Sequence, residues 1–387
     1  MTNWKSRWAI VVRLAKASLL VAVASVGLAA AQVSTPSQAM ALERQGKLAE
    51  AAEAWRGVIK ANPKDAGALA SLGIVLSKQE QYSDAVTAYR KALALNPKLP
   101  GVQLNLGLAE FKQGHFEQAI SPLHAALVAD PHNLQASSLL GLSYYGARKF
   151  AEASKYLEAP AKADPANAQL QDVLAQSCLL AKKYSCALDE FQEILRGNPD
   201  SAPAHMLSGE ALDGLGRTPD AIAEFQAAAK VSPNQPNLHF GLGYLYWKSH
   251  QYDDAKREFE RELANDPANA LSVAYLGDIA MKLEKPDEAL DLLRKAVAMK
   301  NDIRIAYVDL GAILMQQKHD EEAIAALQRA VDLDPSEPDA HYRLGRIYQS
   351  MGRSEQSQKE FAKVRELHEK ADQSLASKMS TAPSVPQ

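Results

Sequence analysis

The sequence predicts an all-α fold of stacked helix pairs, because three series of residues recur with a common period of 34 residues. A fixed period between about 20 and 50 residues is typical of stacked repeats rather than of one closed globule. The first series consists of prolines and one asparagine: Pro63, Pro97, Pro131, Pro165, Pro199, Pro233, Pro267, Asn301 and Pro335. The second consists of glycines and two alanines: Ala39, Gly73, Gly107, Gly141, Ala175, Gly209, Gly243, Gly277, Gly311 and Gly345. The third consists of alanines and one serine: Ala51, Ala85, Ala119, Ala153, Ala187, Ala221, Ala255, Ala289, Ala323 and Ser357.

The first helix of each repeat is predicted to end at a tight turn. When the first repeat is counted from Gln32, four repeats have glycine at position 15. Glycine tolerates a positive φ there and can close a helix. These residues are Gly46, Gly114, Gly216 and Gly352.

The second helix of each repeat is predicted to end before the proline series at position 32. Proline has no N–H and disfavours a helical conformation in the residue before it. The small residues at positions 8 and 20 allow the two helices to approach closely. Pro122 and Pro160 lie inside predicted second helices, so we expect a kink or an early end in both.

This pattern resembles the tetratricopeptide repeat family, whose unit has Leu-Gly at positions 7 and 8, Ala at 20, an aromatic residue near 24 and Pro at 32. The resemblance covers ten repeats, from Gln32 to Ala371. It implies a right-handed α-solenoid, that is, a superhelix of about ten helix-turn-helix repeats with a concave groove lined by the first helices. It also implies a protein-binding scaffold, which is the main role of the family.

The first 31 residues do not follow the repeat and are predicted to be a signal peptide. Basic residues precede an uncharged run from Ala17 to Ala30, and the first acidic residue is Glu43. Small residues at Ala29 to Ala31 predict cleavage before Gln32, and thus export to the periplasm or the cell exterior. An uncleaved membrane anchor remains an alternative. The basic residues are Lys5, Arg7, Arg13 and Lys16.

The rest of the chain divides into two parts. The repeat array is predicted to occupy residues 32–371, closed by the polar second helix of repeat 10. Residues 372–387 are predicted to form a disordered tail, because Ser, Pro and Ala dominate its end.

Charge and motifs disfavour several classes of function. The full sequence has a net charge of −3, and loss of the four N-terminal basic residues makes it −7, so nucleic acid is not an expected partner. The repeats leave no room for a catalytic domain and contain no Walker loop, zinc-protease motif or nucleophile elbow. We therefore expect no enzyme activity, no catalytic residues, no cofactor, no metal site and no small-molecule substrate.

Two sets of residues leave alternatives open. His205, His239 and His341 share position 4, which allows a metal ladder or, more simply, packing histidines. The two cysteines, Cys178 and Cys186, lie on either side of the turn in repeat 5. They form either a disulfide, as an oxidising compartment would permit, or two packing cysteines.

A further stripe of large residues is predicted to line the groove. Positions 5, 9 and 12 of the first helix form a stripe apart from the face toward the paired helix, and in the family this stripe faces the groove. Some relatives clamp a terminal carboxylate with Lys and Asn at positions 5 and 9, but this chain has neither there. The candidate partner-binding residues are Leu104, Leu108, Phe111, Leu142, Tyr145, Phe240, Tyr244, Trp247, Met281, Met315 and Tyr342.

The sequence thus predicts an exported, non-enzymatic scaffold that binds a protein or peptide segment, in envelope assembly or secretion. Alternatives are a structural or oligomerising element of an envelope complex and an accessory subunit of an envelope enzyme. Phe240, Tyr244 and Trp247 are the expected principal contact, because exposed aromatic clusters mark interaction surfaces. The competing interpretation is that these rings only pack against repeats 6 and 8.

Overall fold

The fold was analysed in a computed structural model that describes residues 34–380, and these contain twenty α-helices and no strand. The all-α solenoid class is therefore confirmed. The predicted signal peptide and its cleavage site before Gln32 lie outside the described residues. None of the helices in residues 34–380 combines the length and the apolar character that a membrane crossing requires.

The chain divides into two compact units, with the boundary between Gln113 and Gly114. The helices of the first unit are α1 (Pro36–Arg44), α2 (Leu48–Ala61), α3 (Ala66–Lys78), α4 (Tyr82–Leu95) and α5 (Val102–Lys112). Each helix of this unit packs against the next one along the chain.

The second unit contains fifteen helices. They are α6 (Phe116–Ala129), α7 (Leu134–Gly146), α8 (Phe150–Ala163), α9 (Ala168–Leu180), α10 (Tyr184–Gly197), α11 (Ala202–Gly214), α12 (Thr218–Val231), α13 (Leu238–Lys248), α14 (Tyr252–Asn265), α15 (Ala270–Lys282), α16 (Pro286–Met299), α17 (Arg304–Gln316), α18 (Asp320–Leu333), α19 (Pro338–Ser350) and α20 (Ser354–Ser380). From α7 to α19, each odd-numbered helix is the first helix of a repeat, and each contacts the next helix in this series. The surface that these helices share is called the first-helix face below.

The turn between the two helices has a left-handed residue at position 15 in every repeat. Four of these residues are the predicted glycines, with φ between 71° and 75°. The other six have side chains and φ between 57° and 61°: Glu80, Arg148, Lys182, His250, Glu284 and Lys318. Since a left-handed conformation costs a residue with a Cβ about 1–2 kcal/mol, the surrounding helix pair must impose it.

Side chains just before several first helices satisfy the free N–H groups of those helices. Each accepts a hydrogen bond from the backbone N–H three residues further on, which is the usual N-cap arrangement. These capping residues are Asp65, Asn133, Asn167, Ser201 and Asn269. Each lies two residues after a proline of the position-32 series, so the turn that ends one repeat also caps the first helix of the next.

The glycines at position 8 lie directly against the side chain at position 24 of the same repeat. A Cβ built on Gly243 would be 2.8 Å from two ring carbons of Phe259, and one on Gly311 would be 2.5 Å from Leu327. Real Cβ atoms essentially never come this close to another heavy atom. The second helix therefore occupies the space of the missing methyl group, as the sequence predicts for close helix packing.

The two internal prolines do not end their helices early. Both α6 and α8 have fourteen residues, as most other second helices do. Pro160 lacks an N–H, so the carbonyl of Tyr156 loses its helical partner. The Ser137 hydroxyl on α7 donates to that carbonyl at 2.7 Å. A neighbouring helix thus supplies the missing donor.

The last helix is longer than the other second helices. Whereas those have fourteen residues, α20 has 27 and continues to Ser380. Residues 372–380, the first part of the segment predicted to be disordered, are therefore helical. The sequence offers a reason, since no proline interrupts it between Ser354 and Pro383. Residues 381–387 lie outside the described part of the chain.

Candidate functional site

The three aromatic residues predicted as the principal contact lie together on α13. The rings of Tyr244 and Trp247 are stacked, with centroids 5.9 Å apart. Tyr275 on α15 joins them: its ring is 5.0 Å from that of Trp247 and 5.9 Å from those of Tyr244 and Phe240. All four side chains are partly exposed. We call Phe240, Tyr244, Trp247 and Tyr275 the aromatic cluster.

Tyr275 and the buried Phe259 connect the aromatic cluster to the core. Their rings are stacked, with centroids 5.3 Å apart, and Phe259 also lies 5.8 Å from Phe240. Burial raises the pKa of Tyr275 to about 12, with a smaller effect from nearby Tyr244 and acidic residues. The cluster does pack against repeat 8, as the competing interpretation expects, but its four side chains stay partly exposed.

Two buried carboxyl groups adjoin the aromatic cluster. Asp278 on α15 accepts a hydrogen bond from Trp247 Nε1 at 2.5 Å, and only 3% of its surface is exposed. Asp309 on α17 is 7% exposed and lies within hydrogen-bonding reach of Asp278. We call these two residues the acid pair. Trp247, Asp278 and Asp309 therefore connect the first helices of three consecutive repeats.

Burial raises the pKa of Asp309 to about 8, and the negative charge of Asp278 adds to this effect. Arg343 and Lys282 oppose the shift but do not cancel it. The Lys282 ammonium stays 3.8 Å from Asp278 Oδ1, beyond normal hydrogen-bond range. Burial and the nearby charge of Asp278 therefore favour the protonated form of Asp309 near neutral pH.

Helix α14 anchors the start of α13, which bears three of the four aromatic residues. Asn237, just before α13, has φ 63° and no side-chain cap. The buried Glu262 on α14 supplies the acceptors instead: its two carboxylate oxygens accept from the backbone N–H groups of Asn237 and Phe240, at 3.2 and 3.1 Å. A carboxylate at a helix N-terminus is also favoured by the helix dipole.

The other predicted groove residues are also on first helices. In the first unit, α5 bears Leu104, Leu108 and Phe111, all partly buried. In the second unit, the remaining five are Leu142, Tyr145, Met281, Met315 and Tyr342. The Tyr145 hydroxyl donates to Gln176 Oε1 at 2.7 Å, and Tyr342 is 48% exposed. Neither is brought into the aromatic cluster.

Sequence reasoning missed Tyr275 and the acid pair. Tyr275 and Asp309 are at position 6, outside the predicted stripe, and Asp278 is at position 9, where large apolar residues, lysine and asparagine were the expected types. A search for acidic as well as apolar residues at positions 5, 6, 9 and 12 would have found all three.

Profiles of one repeat family match most of the chain. Those described as "TPR repeat" match residues 77–114, 209–249 and 311–352. Those described as "Tetratricopeptide repeat" match residues 37–65, 104–168, 138–202, 240–302 and 338–367. The chain belongs to the tetratricopeptide repeat family. Its sequence matches no curated protein.

Several solved structures match parts of this chain. The APC/C hetero-tetramer Cut9–Hcn1 is 18% identical over 79% of this chain and 60% of that chain, with a TM-score of 0.48. This chain thus spans less than two thirds of that one. YrrB, described as having an unusual peptide-binding site, is 23% identical over 49% of this chain and 97% of its own, with a TM-score of 0.37. MamA is 24% identical over 43% and 96%, with a TM-score of 0.37.

The position-4 histidines join the two helices of their own tetratricopeptide repeats. Each Nδ1 lies 2.6 Å from the glutamate at position 23, in the pairs His205–Glu224, His239–Glu258 and His341–Glu360. In repeats 6 and 7 the other ring nitrogen lies 2.9 Å from the carbonyl oxygen of the preceding position-32 proline. These contacts agree with the packing interpretation. Within residues 34–380, no three His, Cys, Asp or Glu side chains are grouped to hold a metal ion.

The two cysteines are bonded to each other in the structure. The Cys178–Cys186 disulfide joins α9 to α10 across the turn of repeat 5, with a Cα–Cα distance of 5.7 Å. This distance lies within the usual range for a disulfide. Of the two alternatives that the sequence leaves open, the structure has the disulfide.

Proposed function

We propose that this chain is a non-enzymatic scaffold that binds a protein or peptide segment on its first-helix face, with the aromatic cluster as the main contact. The supporting observation is that four large rings from two helices stay partly exposed at one place. Aromatic residues are enriched among the interface residues that contribute most to binding. Membership of a family of protein-binding scaffolds also supports this proposal, and no small molecule is needed as a substrate.

The proposal includes export to the periplasm or the cell exterior and a role in the cell envelope. Two features support it. The N-terminal segment has the basic start, apolar run and small residues of a secretory signal. The Cys178–Cys186 disulfide is of a kind that forms and persists in oxidising compartments. N-terminal sequencing of the protein from fractionated cells tests this part. An intact Met1 in the membrane fraction would replace export by anchoring.

Photo-cross-linking in intact cells tests the binding surface. A photoreactive phenylalanine analogue replaces Tyr244 on the first-helix face, and a second version carries it at Lys295, exposed on α16. We expect a defined partner band from position 244 that disappears with Phe240→Ala and Trp247→Ala. Bands only from position 295 would contradict the proposal and favour the alternative, a structural element that acts through its second helices.

A further inference from the structure

A buried oxygen beside the aromatic cluster has no hydrogen-bond partner within the described part of the chain. Asp309 Oδ2 has no hydrogen-bond partner, although the residue is more than nine-tenths buried. Buried polar atoms in folded proteins are nearly always hydrogen-bonded. An atom without a partner next to a partly exposed surface therefore suggests that a group of another molecule completes its hydrogen bonding.

Two cations of the chain, Lys282 and Arg343, lie near this oxygen, but neither donates a hydrogen bond to it. The Lys282 ammonium is 3.8 Å from Asp278 Oδ1, on a side chain that is 49% exposed. Arg343 lies near enough to act on Asp309, yet Asp309 Oδ2 still has no partner. Burial is the main cause of the raised pKa of Asp309, the negative charge of Asp278 is the next, and the two cations only reduce the shift.

The aromatic cluster provides the second part of a binding site for a cation. The faces of tryptophan and tyrosine rings attract ammonium and guanidinium groups. A guanidinium group can stack on a ring while its N–H groups bind a carboxylate. Trp247 and Tyr275 lie next to the acid pair, since Trp247 donates to Asp278 and Tyr275 is on the same helix.

A further carboxylate lies along the same face. Glu210 on α11 is at position 9, as Tyr244 is on α13 and Asp278 on α15, and these helices contact one another in order. Its side chain is exposed, yet nearby protein atoms desolvate it enough to raise its pKa. At about 8–10 Å between packed helices, Glu210 and Asp278 are roughly 16–20 Å apart. An extended chain covers that distance in about five or six residues, at about 3.3 Å each.

We propose that the bound segment is basic. One arginine or lysine side chain of the partner docks on the acid pair beside Trp247 and Tyr275, and a second one, five or six residues away in an extended segment, pairs with Glu210. This inference rests on the proposed function, because it specifies the chemistry of the segment that the first-helix face binds.

Selection from a library tests this partner chemistry. The purified whole chain is used to select random peptides of about twelve residues, long enough to span α11 to α15 at about 3.3 Å per residue. We expect enrichment of arginine or lysine pairs spaced by five or six residues. For a selected peptide, Asp278→Asn with Asp309→Asn should weaken binding about tenfold or more, the usual effect of losing a hydrogen bond to a charged group.

A matched variant controls for net charge. Asp291→Asn with Asp332→Asn removes two exposed carboxylates from the second helices of the same two repeats, and its affinity should stay within about twofold of the wild type, because distant surface charges are screened by salt. Thermal unfolding of both double variants verifies that they are folded. An equal loss of affinity in the control would overturn the proposal.

Proton release provides a second measurement. A guanidinium group on the acid pair favours the ionised form of Asp309, so binding of a selected arginine peptide near pH 7 should release up to about one proton. Calorimetry in two buffers of different ionisation enthalpy measures this number. We expect no release in Asp309→Asn, and absence of release in the wild type would contradict docking at the acid pair.

The outcomes distinguish this inference from the proposed function. If neutral or acidic peptides are enriched and Phe240→Ala with Trp247→Ala abolishes their binding, the basic chemistry is wrong while the first-helix face remains the binding surface. If no peptide is enriched, or if binding is insensitive to the aromatic variants, both proposals fail.

Discussion

Gly243 offers the sharpest test of how the helix pairs are packed. It lies on α13 against Phe259 of α14, and an added Cβ would be 2.8 Å from two carbons of that ring. Phe259 is fully buried and itself contacts Phe240 and Tyr275. The ring cannot move away without disturbing the aromatic cluster. Gly243→Ala should therefore damage both stability and the proposed binding surface.

Two opposing contributions determine how much Gly243→Ala changes the free energy of unfolding. Replacing glycine by alanine inside a helix stabilises it by about 0.5–1 kcal/mol. Overpacking a filled core typically costs about 1–3 kcal/mol. Gly197, at the end of α10, has no atom within 4 Å of the Cβ position, so Gly197→Ala keeps the first contribution without the second. The free energies of unfolding of the two variants should therefore differ by about 1–3 kcal/mol, with Gly243→Ala the less stable.

Urea unfolding of the whole chain and its two variants measures this difference, and hydrogen exchange locates the damage. Each repeat contacts only its neighbours, so faster exchange in Gly243→Ala should be concentrated in repeats 6 to 8. Gly243→Leu should have the same pattern and a larger loss. Equal stabilities of the two alanine variants would contradict the packing of α13 on α14. Uniformly faster exchange along the chain would contradict the neighbour-only organisation.

Three further predictions concern single positions. The carboxyl of Asp309 binds its proton more tightly in the folded than in the unfolded chain, so its contribution to stability should fall as pH rises from about 4 to about 8. Urea unfolding of the wild type and of Asp309→Asn near pH 5 and pH 9 measures this change. Relative to the wild type, the variant should gain a few kcal/mol at the higher pH, since one pKa unit is about 1.4 kcal/mol. Glu284 has φ 57°; Glu284→Gly relieves about 1–2 kcal/mol of left-handed strain and adds about 0.5–1 kcal/mol of backbone entropy cost, so the free energy of unfolding should rise by up to about 1 kcal/mol, and a loss would show that the side chain matters more than the backbone. A chain that begins at Gln32 and carries Trp55→Phe has Trp247 as its one remaining tryptophan. Because Trp247 is partly exposed, iodide should quench its fluorescence, and a bound partner should protect it. If iodide does not reach Trp247 in the absence of a partner, Trp247 is a packing residue.

The repeat pattern predicts most of the fold because each recurring residue type has a role within its own helix pair. Glycine or alanine at position 8 and alanine at position 20 are required wherever two helices pack closely, and proline at position 32 ends the second helix. The left-handed residue at position 15 is harder to predict from the sequence, because in six of the ten repeats it is not glycine. In those repeats the packing of the helix pair, rather than the residue type, imposes the conformation. The compensation of Pro160 by Ser137 is likewise a contact between different helices.

The candidate site was predictable only in part, for a similar reason. Phe240, Tyr244 and Trp247 have helical spacing on one helix, so the sequence alone places them on one stripe. The acid pair joins position 9 of one repeat to position 6 of the next, and this contact depends on how α15 packs against α17. The cap that Glu262 provides for α13 also comes from another helix. Contacts between helices are not encoded by periodicity within a helix.

The polar connection from Trp247 through Asp278 to Asp309 has a consequence for the evolution of the array. Repeat proteins change length when whole units are duplicated or deleted, and most such events leave every remaining unit intact. An extra unit between repeats 8 and 9 would separate Asp278 from Asp309 while preserving both helix pairs. Selection on this site therefore acts on the order of neighbouring units as well as on their residues, and repeats 7, 8 and 9 should be inherited as one block.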